Sequence, residues 1–179
     1  MAKEIKKMAV FVGCTYTGTE VQLQGPINDV NQMRDLVVQR FGFEPSNIEF
    51  LTDAPDSTVM PTGANIRSAL KMMFNRAEAG DVLFFHFSGH ATRVPRSSVG
   101  DGEYEAIVPS DFNLILDEEF RELVSCLPEG ASFTFLSDSC LANGFIDIKK
   151  DHIGPPMILF GGLMNFYLSA YILAYGKSR

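Results

Sequence analysis

Short apolar runs alternate with stretches of helical periodicity along this chain. Met8-Ala9-Val10-Phe11-Val12 is a continuous apolar run that predicts a buried strand, with Gly13 opening the next loop. Asn28 is a candidate helix cap, and behind it Val30, Met33, Val37 and Phe41 fall on one helical face. Gly42 stands where a helix end favours a left-handed residue. Ile48–Leu51 predicts a second short strand, and residues 53–61 a turn-rich loop. Thr62 can cap a second helix with Ile66, Ala69, Leu70, Met73 and Ala77 inward, ended by Gly80. Val82–Phe87 predicts a strand buried on both faces, Ser88–Gly102 a polar loop, and Glu105–Val108 a short ribbon strand. Asp117 starts a third helix with Phe120, Leu123, Val124 and Leu127 inward, and Ala131–Leu136 is another strand. Strands alternating with helices predict an α/β fold: a mostly parallel sheet with helices on both faces. No repeat, linker or shift of composition divides the chain before about Gly154.

The chain's 179 residues suit one domain, and 46% hydrophobic against 21% charged residues excludes disorder. The net charge of -7 argues against nonspecific nucleic-acid binding, which needs Lys and Arg to neutralise phosphates. Three cysteines cannot all pair, and their spacing is no zinc pattern, so a reducing, cytoplasmic setting is expected. The apolar run at the amino end is too short for a signal-peptide core. Residues 157–175 are 19 consecutive uncharged, mostly apolar residues, borderline for a span that needs ~20. This tail is expected to cover a sheet edge as a core helix, with membrane anchoring as the alternative. Lys149, Lys150, Lys177 and Arg179 flank it and suit either role.

Reactive side chains follow two of the expected strands, and open α/β sheets bind ligands outside the carboxyl ends of their strands. Ser88-Gly89-His90 follows one, and Ser137-Asp138-Ser139-Cys140 follows the other. A lone His or a lone Cys at a strand end is more often structural than catalytic. Together on neighbouring strands they meet the basic need of thiol catalysis. Imidazole lowers the thiol pKa, acts as base, and then supplies a proton to the leaving amine. Cys14 and Cys126 are expected to be small buried thiols, His86 a core histidine, and His152 a surface residue.

Several blocks, in one colinear order from about Met8 to Gly154, then carry a family resemblance. They are 12–19 (Val-Gly-Cys-Thr-Tyr-Thr-Gly-Thr), 23–30 (Leu-Gln-Gly-Pro-Ile-Asn-Asp-Val) and 61–67 (Pro-Thr-Gly-Ala-Asn-Ile-Arg). Further along come 86–93 (His-Phe-Ser-Gly-His-Ala-Thr-Arg), Ile107-Val108-Pro109, Asp138-Ser139-Cys140 and Gly144-Phe145-Ile146-Asp147. The chain resembles the large-subunit region of a metacaspase, closest to the plant type II branch. His90 lies 50 residues before Cys140, the offset found in caspases.

The resemblance implies a three-layer α/β/α caspase-like fold over residues 1–154, followed by the apolar tail of 155–179. It implies a Cys-His dyad endopeptidase, calcium-stimulated, that cuts peptide or protein substrates after Arg or Lys. Cys140 is then the nucleophile and His90 the general base and acid, with the backbone N–H groups of Ala91 and Cys140 holding the oxyanion. Asp29, Ser88 and Asp138 match the specificity pocket, where carboxylates would hold a guanidinium or ammonium. Asp117, Glu118 and Asp147 match the calcium ligands, and Asp101, Glu103 and Glu105 are further oxygen donors nearby in sequence. Asp29, and the acids that open the helix at Asp117, also suit helix N-termini on electrostatic grounds alone.

The chain departs from the family pattern in five places. Ala91 stands for Gly, Pro26 for Cys and Tyr104 for Asp. Leu141-Ala142-Asn143-Gly144 replaces His-Ser-Gly-Gly after the nucleophile. Alanine at 91 keeps the N–H donor but resists the positive φ that glycine allows. The pattern is left near Gly154, where the family continues with an acidic linker and a C-terminal small-subunit region that this sequence lacks. These departures support a second expectation: a catalytically impaired relative that binds full-length metacaspases as a regulator or decoy.

Overall fold

The computed structural model describes residues 4–96 and 102–139 in full and the backbone of 170–176. Lys7–Gly13 (β1), Ile48–Thr52 (β2), Val82–Ser88 (β3) and Ser132–Asp138 (β7) form parallel neighbours in the order β2-β1-β3-β7. Ala170–Gly176 (β8) adds a fifth strand, antiparallel to β7. Among the described residues three helices connect the strands: Pro26–Phe41 (α1), Gly63–Arg76 (α2) and Asp117–Ser125 (α3). A separate antiparallel sheet joins Ala91–Pro95 (β4), Glu103–Ile107 (β5) and Ile115–Leu116 (β6).

The period of two along β1 explains the layers. Met8, Val10 and Val12 face one side and pack with Ile66, Leu70 and Met73 of α2 and with Phe120 of α3. Ala9 and Phe11 face the other and pack with Val30 and Val37 of α1. The centre of the sheet is thus covered on both faces, which is why β1 and β3 read as continuous apolar runs. Phe85, Phe120 and Phe135 form a stack with centroids 4.9–5.5 Å apart, tying α3 to β3 and β7. Removing one such ring would cost about 3–5 kcal/mol. His86 is buried beside the edge of Phe11, and burial pushes its imidazole down to about 3, so it is a neutral core residue.

The local signals place some boundaries and misplace others. Thr62 caps α2 by accepting from the Asn65 N–H at 3.2 Å, and Gly42 takes φ +66° after α1. The expected cap at Asn28 is wrong: α1 starts at Pro26, because proline's fixed φ suits the first helical position. Gly80 does not end α2, which stops at Arg76 with Ala77 at its C-cap and half-buried; Gly80 (φ +88°) instead turns the chain into β3. The segment read as one loop, Ser88–Gly102, contains β4, which pairs Arg93 opposite Glu105. Its polar composition hid a ribbon that lies away from the main core. Leu127 is buried but follows the α3 C-cap. Cys126, at that cap, is exposed rather than buried, because the helix end turns it outward.

The tail also differs from expectation. In place of the expected helix, 170–176 is a strand that covers the edge of β7. Tyr171, Ile172 and Tyr175 are residue types that favour a pleated surface, and the edge supplies unpaired backbone groups. Among the described residues no helix is long and apolar enough to cross a membrane. Residues 155–169 lie outside the described residues, as do Asp101, Cys140, Asp147 and His152.

Candidate active site

Parallel register brings three strand ends level: Gly13 of β1 lies opposite Ser88 of β3, and Ser88 opposite Asp138 of β7. The loops leaving these ends carry the candidate chemistry. His90 leaves β3, and Ser139 leads from β7 toward Cys140, which lies outside the described residues. Asp29 reaches the same rim from the first turn of α1.

Three of the pocket residues come together. The Ser88 hydroxyl donates to Asp29 Oδ2 at 3.1 Å, and Ser88 is itself buried. Burial raises the Asp29 carboxyl above its ordinary value, an effect the Ser88 bond partly offsets. Burial, and then the charge of Asp29, push the Asp138 carboxyl up to about 6. Neither acid has an ion-pair partner among the described residues. Two half-buried carboxylates, Asp138 raised by burial and by the charge of Asp29, thus stand side by side at the sheet rim.

His90 is held from three directions. Its Nε2 lies 2.7 Å from the Val21 carbonyl oxygen. A carbonyl can only accept, so Nε2 carries the proton and Nδ1 is left as the basic nitrogen of the neutral ring. The Tyr16 ring packs beside the imidazole with centroids 4.8 Å apart. The Tyr16 hydroxyl accepts from the His90 backbone N–H at 2.9 Å and donates to the Val108 carbonyl at 2.5 Å. Val108 in turn donates its N–H to the His90 carbonyl at 2.9 Å.

Ala91 opens β4, and its φ is not positive: Tyr16 and Phe112 are the non-glycine residues with positive φ among those described. Alanine is therefore at ease where the family carries glycine. Pro26, the other small departure, is buried at the first turn of α1, against the strand end of β1.

The oxygen donors expected for calcium are only partly brought together. Asp117 is buried, and its Oδ2 accepts from Arg121 Nη2 at 2.6 Å. Its Oδ1 is buried without a partner among the described residues, as is Oε2 of Glu105, whose carboxyl is raised by burial first and, against the pull of Arg93, by the charges of Asp117 and Glu103. Two orphaned carboxylate oxygens suit a hard cation, which takes 6–8 oxygens. Glu118 is exposed, Glu103 and Glu105 pair with Arg93, and no cluster of three metal-binding side chains forms among the described residues.

Sequence reasoning passed over Tyr16, Val21 and Asp53. The Asp53 carboxylate, just beyond β2, accepts from the Thr15 N–H (2.8 Å), the Thr15 hydroxyl (2.7 Å) and the Tyr16 N–H (2.7 Å). The signal was present in the Cys14–Thr19 block, whose polar residues have no helical or strand periodicity.

A metacaspase, peptidase C14 domain model matches residues 7–149. The chain is 54% identical to Metacaspase-9 of Arabidopsis thaliana over 86% of its own length and 48% of that protein. It is 47% identical to Metacaspase-6 of the same plant, covering 83% of this chain and 41% of that one. With Metacaspase-1 of Schizosaccharomyces pombe it shares 37% identity over 80% of this chain and 35% of the relative. The chain thus spans about half the length, or less, of these curated relatives. The crystal structure of protein GSU0716 from Geobacter sulfurreducens superimposes with a TM-score of 0.62 at 24% identity, over 75% of this chain and 50% of that one, a likeness of fold.

Proposed function

The chain belongs to the metacaspase family, peptidase C14, and from that premise we propose that it is a cysteine endopeptidase cutting after Arg or Lys. The observation that carries the specificity is the pair of uncompensated carboxylates, Asp29 and Asp138, beside the Ser88 hydroxyl. The basic side chain of the substrate enters there and restores charge balance. His90 Nδ1 takes the proton from the Cys140 thiol, and the thiolate attacks the carbonyl carbon after that basic residue. The backbone N–H groups of Ala91 and Cys140 hold the developing oxyanion. His90 then gives its proton to the leaving amine, and water, deprotonated by the same ring, releases the acyl group from sulfur.

Calcium belongs to the same proposal. Asp117 and Glu105 offer it their orphaned oxygens, with Glu118 and Asp147 as the further acids of the set. The ion would neutralise that acidic cluster and stabilise the β5–β6 ribbon beside it. A rise in melting temperature with calcium, absent in Asp117→Asn, is the expected outcome.

The deciding experiment is hydrolysis of a fluorogenic Arg-ending peptide, with calcium and with chelator, beside Cys140→Ala. Cleavage lost in the variant is expected. Silence from a folded wild-type chain overturns the enzymatic reading and favours a regulator or decoy of full-length metacaspases, checked by co-purification with one.

A further inference from the structure

Tyr16 sits in a conformation that a side chain rarely adopts, with φ +54°. Such a backbone persists only where its surroundings impose it. Here the imposing group is Asp53, which takes the N–H groups of both Thr15 and Tyr16 on its two carboxylate oxygens. The Tyr16 carbonyl is occupied as well, by the Thr19 N–H at 3.1 Å and the Thr19 hydroxyl at 2.7 Å. The residue is fixed on both sides of its α-carbon.

The side chain is fixed equally. Tyr16 is 2% exposed, and its hydroxyl bridges two segments, the His90 N–H and the Val108 carbonyl. Gly89 leaves room for it: a Cβ there would stand 2.8 Å from the Tyr16 oxygen and 3.3 Å from the Cys14 Cβ. Burial raises the Tyr16 phenol far above its ordinary range, so the hydroxyl keeps its proton. The hydroxyl is buried and both its bonds run to backbone groups of this chain. Its hydroxyl serves as a fixed donor and acceptor.

We infer that Tyr16 is a positioning residue for His90. Its hydroxyl pins the backbone of the histidine, its ring limits the tilt of the imidazole, and its loop delivers the Val21 carbonyl that selects the tautomer. The inference rests on the reading of His90 as the general base. The loop from Cys14 to Gln24 is thereby a single device: Asp53 fixes its start, Leu23 closes it by donating to the Thr15 carbonyl at 2.8 Å, and its two inner groups hold one ring. Proton transfer is sensitive to such placement, since a shift of ~1 Å can cost roughly 100-fold in rate.

Two variants separate the contributions. Tyr16→Phe keeps the ring and removes the hydroxyl. Tyr16→Leu removes both. In Arg-peptide hydrolysis, kcat is expected to fall about 10-fold in the first and about 100-fold in the second, with KM within about twofold in each. The ¹⁵N shifts of the His90 ring, read in the Cys140→Ala background, provide a second readout. They are expected to show one Nε2-protonated tautomer where Tyr16 is intact and a mixture of tautomers in Tyr16→Leu. Folded variants with unchanged kcat and an unchanged ring spectrum overturn the inference, even if their melting temperature drops. Should the wild-type chain prove inactive, the proposed function fails while the ring spectrum still decides for or against Tyr16. Should Tyr16→Leu fail to fold, Tyr16→Phe decides by the same two readouts.

Discussion

Carboxylates are treated in two ways in this molecule. At the rim of the central sheet, burial raises both Asp29 and Asp138, the Asp29 charge raises Asp138 further, and the Ser88 hydroxyl donates to Asp29 alone. Between α2 and α3, Glu119 is gripped by Arg67 through Nε at 2.6 Å and Nη2 at 2.9 Å, and it also accepts from the Leu116 N–H at 3.0 Å. Burial acts to raise the Glu119 carboxyl, but these bonds win and bring it below its ordinary value. Arg67 is secured further by the Leu114 carbonyl at 2.6 Å. Glu119 has its cation within the chain, whereas Asp29 and Asp138 have no ion-pair partner among the described residues. On the proposed function, the partner of the second pair is the basic side chain of the substrate.

The largest effect that would break this contrast is at Asp138. Asp138→Asn is expected to lower kcat/KM for an Arg-ending peptide by about 10²–10³-fold, as when one partner of a desolvated charge pair is lost. Its melting temperature should stay level or rise, because a like-charge neighbour is removed. A strong loss of stability would make Asp138 a structural acid after all. Glu119→Gln should do the reverse. It is expected to cost about 1–2 kcal/mol of stability, a drop of roughly 2–8 °C, with KM unchanged.

Ser88→Ala is expected to be milder, removing one bond to Asp29 and about 1 kcal/mol of pocket order, or roughly a fivefold rise in KM. The smallest effect is the sign of the pH dependence of melting. Asp138 binds its proton more tightly folded than unfolded, so its contribution is greatest at low pH and is lost as pH rises through about 6. Glu119 is depressed, so its contribution is present above its unfolded pKa and is lost as pH falls toward its folded value. Melting curves between pH 3 and 7 should therefore deviate from wild type with opposite slopes, Asp138→Asn on the way up to about 6 and Glu119→Gln below 4.5. Parallel slopes would erase the distinction. Peptide binding follows the same logic, and KM should rise as pH falls below about 6.

The central strands β1 and β3 were legible because each is covered on both faces and reads as an unbroken apolar run, as in Val82–Phe87, while β2 and β7 show shorter apolar stretches interrupted by Glu49 and Thr134. His90 and Asp138 could be placed because they lie at or just beyond the ends of β3 and β7, whereas Asp29, in the first turn of α1, was reached only through the family resemblance. β4 was hidden because its alternation, from Ala91 to Pro95, has no large apolar face. β8 was hidden because its seven residues lie within a longer apolar run that fits a helix and a strand equally on composition. The Tyr16 clamp was hidden for another reason. Its contacts join residues 37 to 92 positions apart, and no local period records such pairs.

The edge of β7 has a history during synthesis. Asp138 pairs with Ala170 and Ser132 with Gly176, so the covering strand is made roughly 40 residues after the strand it covers. At ~5–20 residues per second, β7 presents unpaired amides on the nascent chain for roughly 2–8 s before its neighbour leaves the ribosome. During that interval the edge is open to any other extended segment nearby. The rate of translation, and the chaperones met in those seconds, would then govern the yield of native chains.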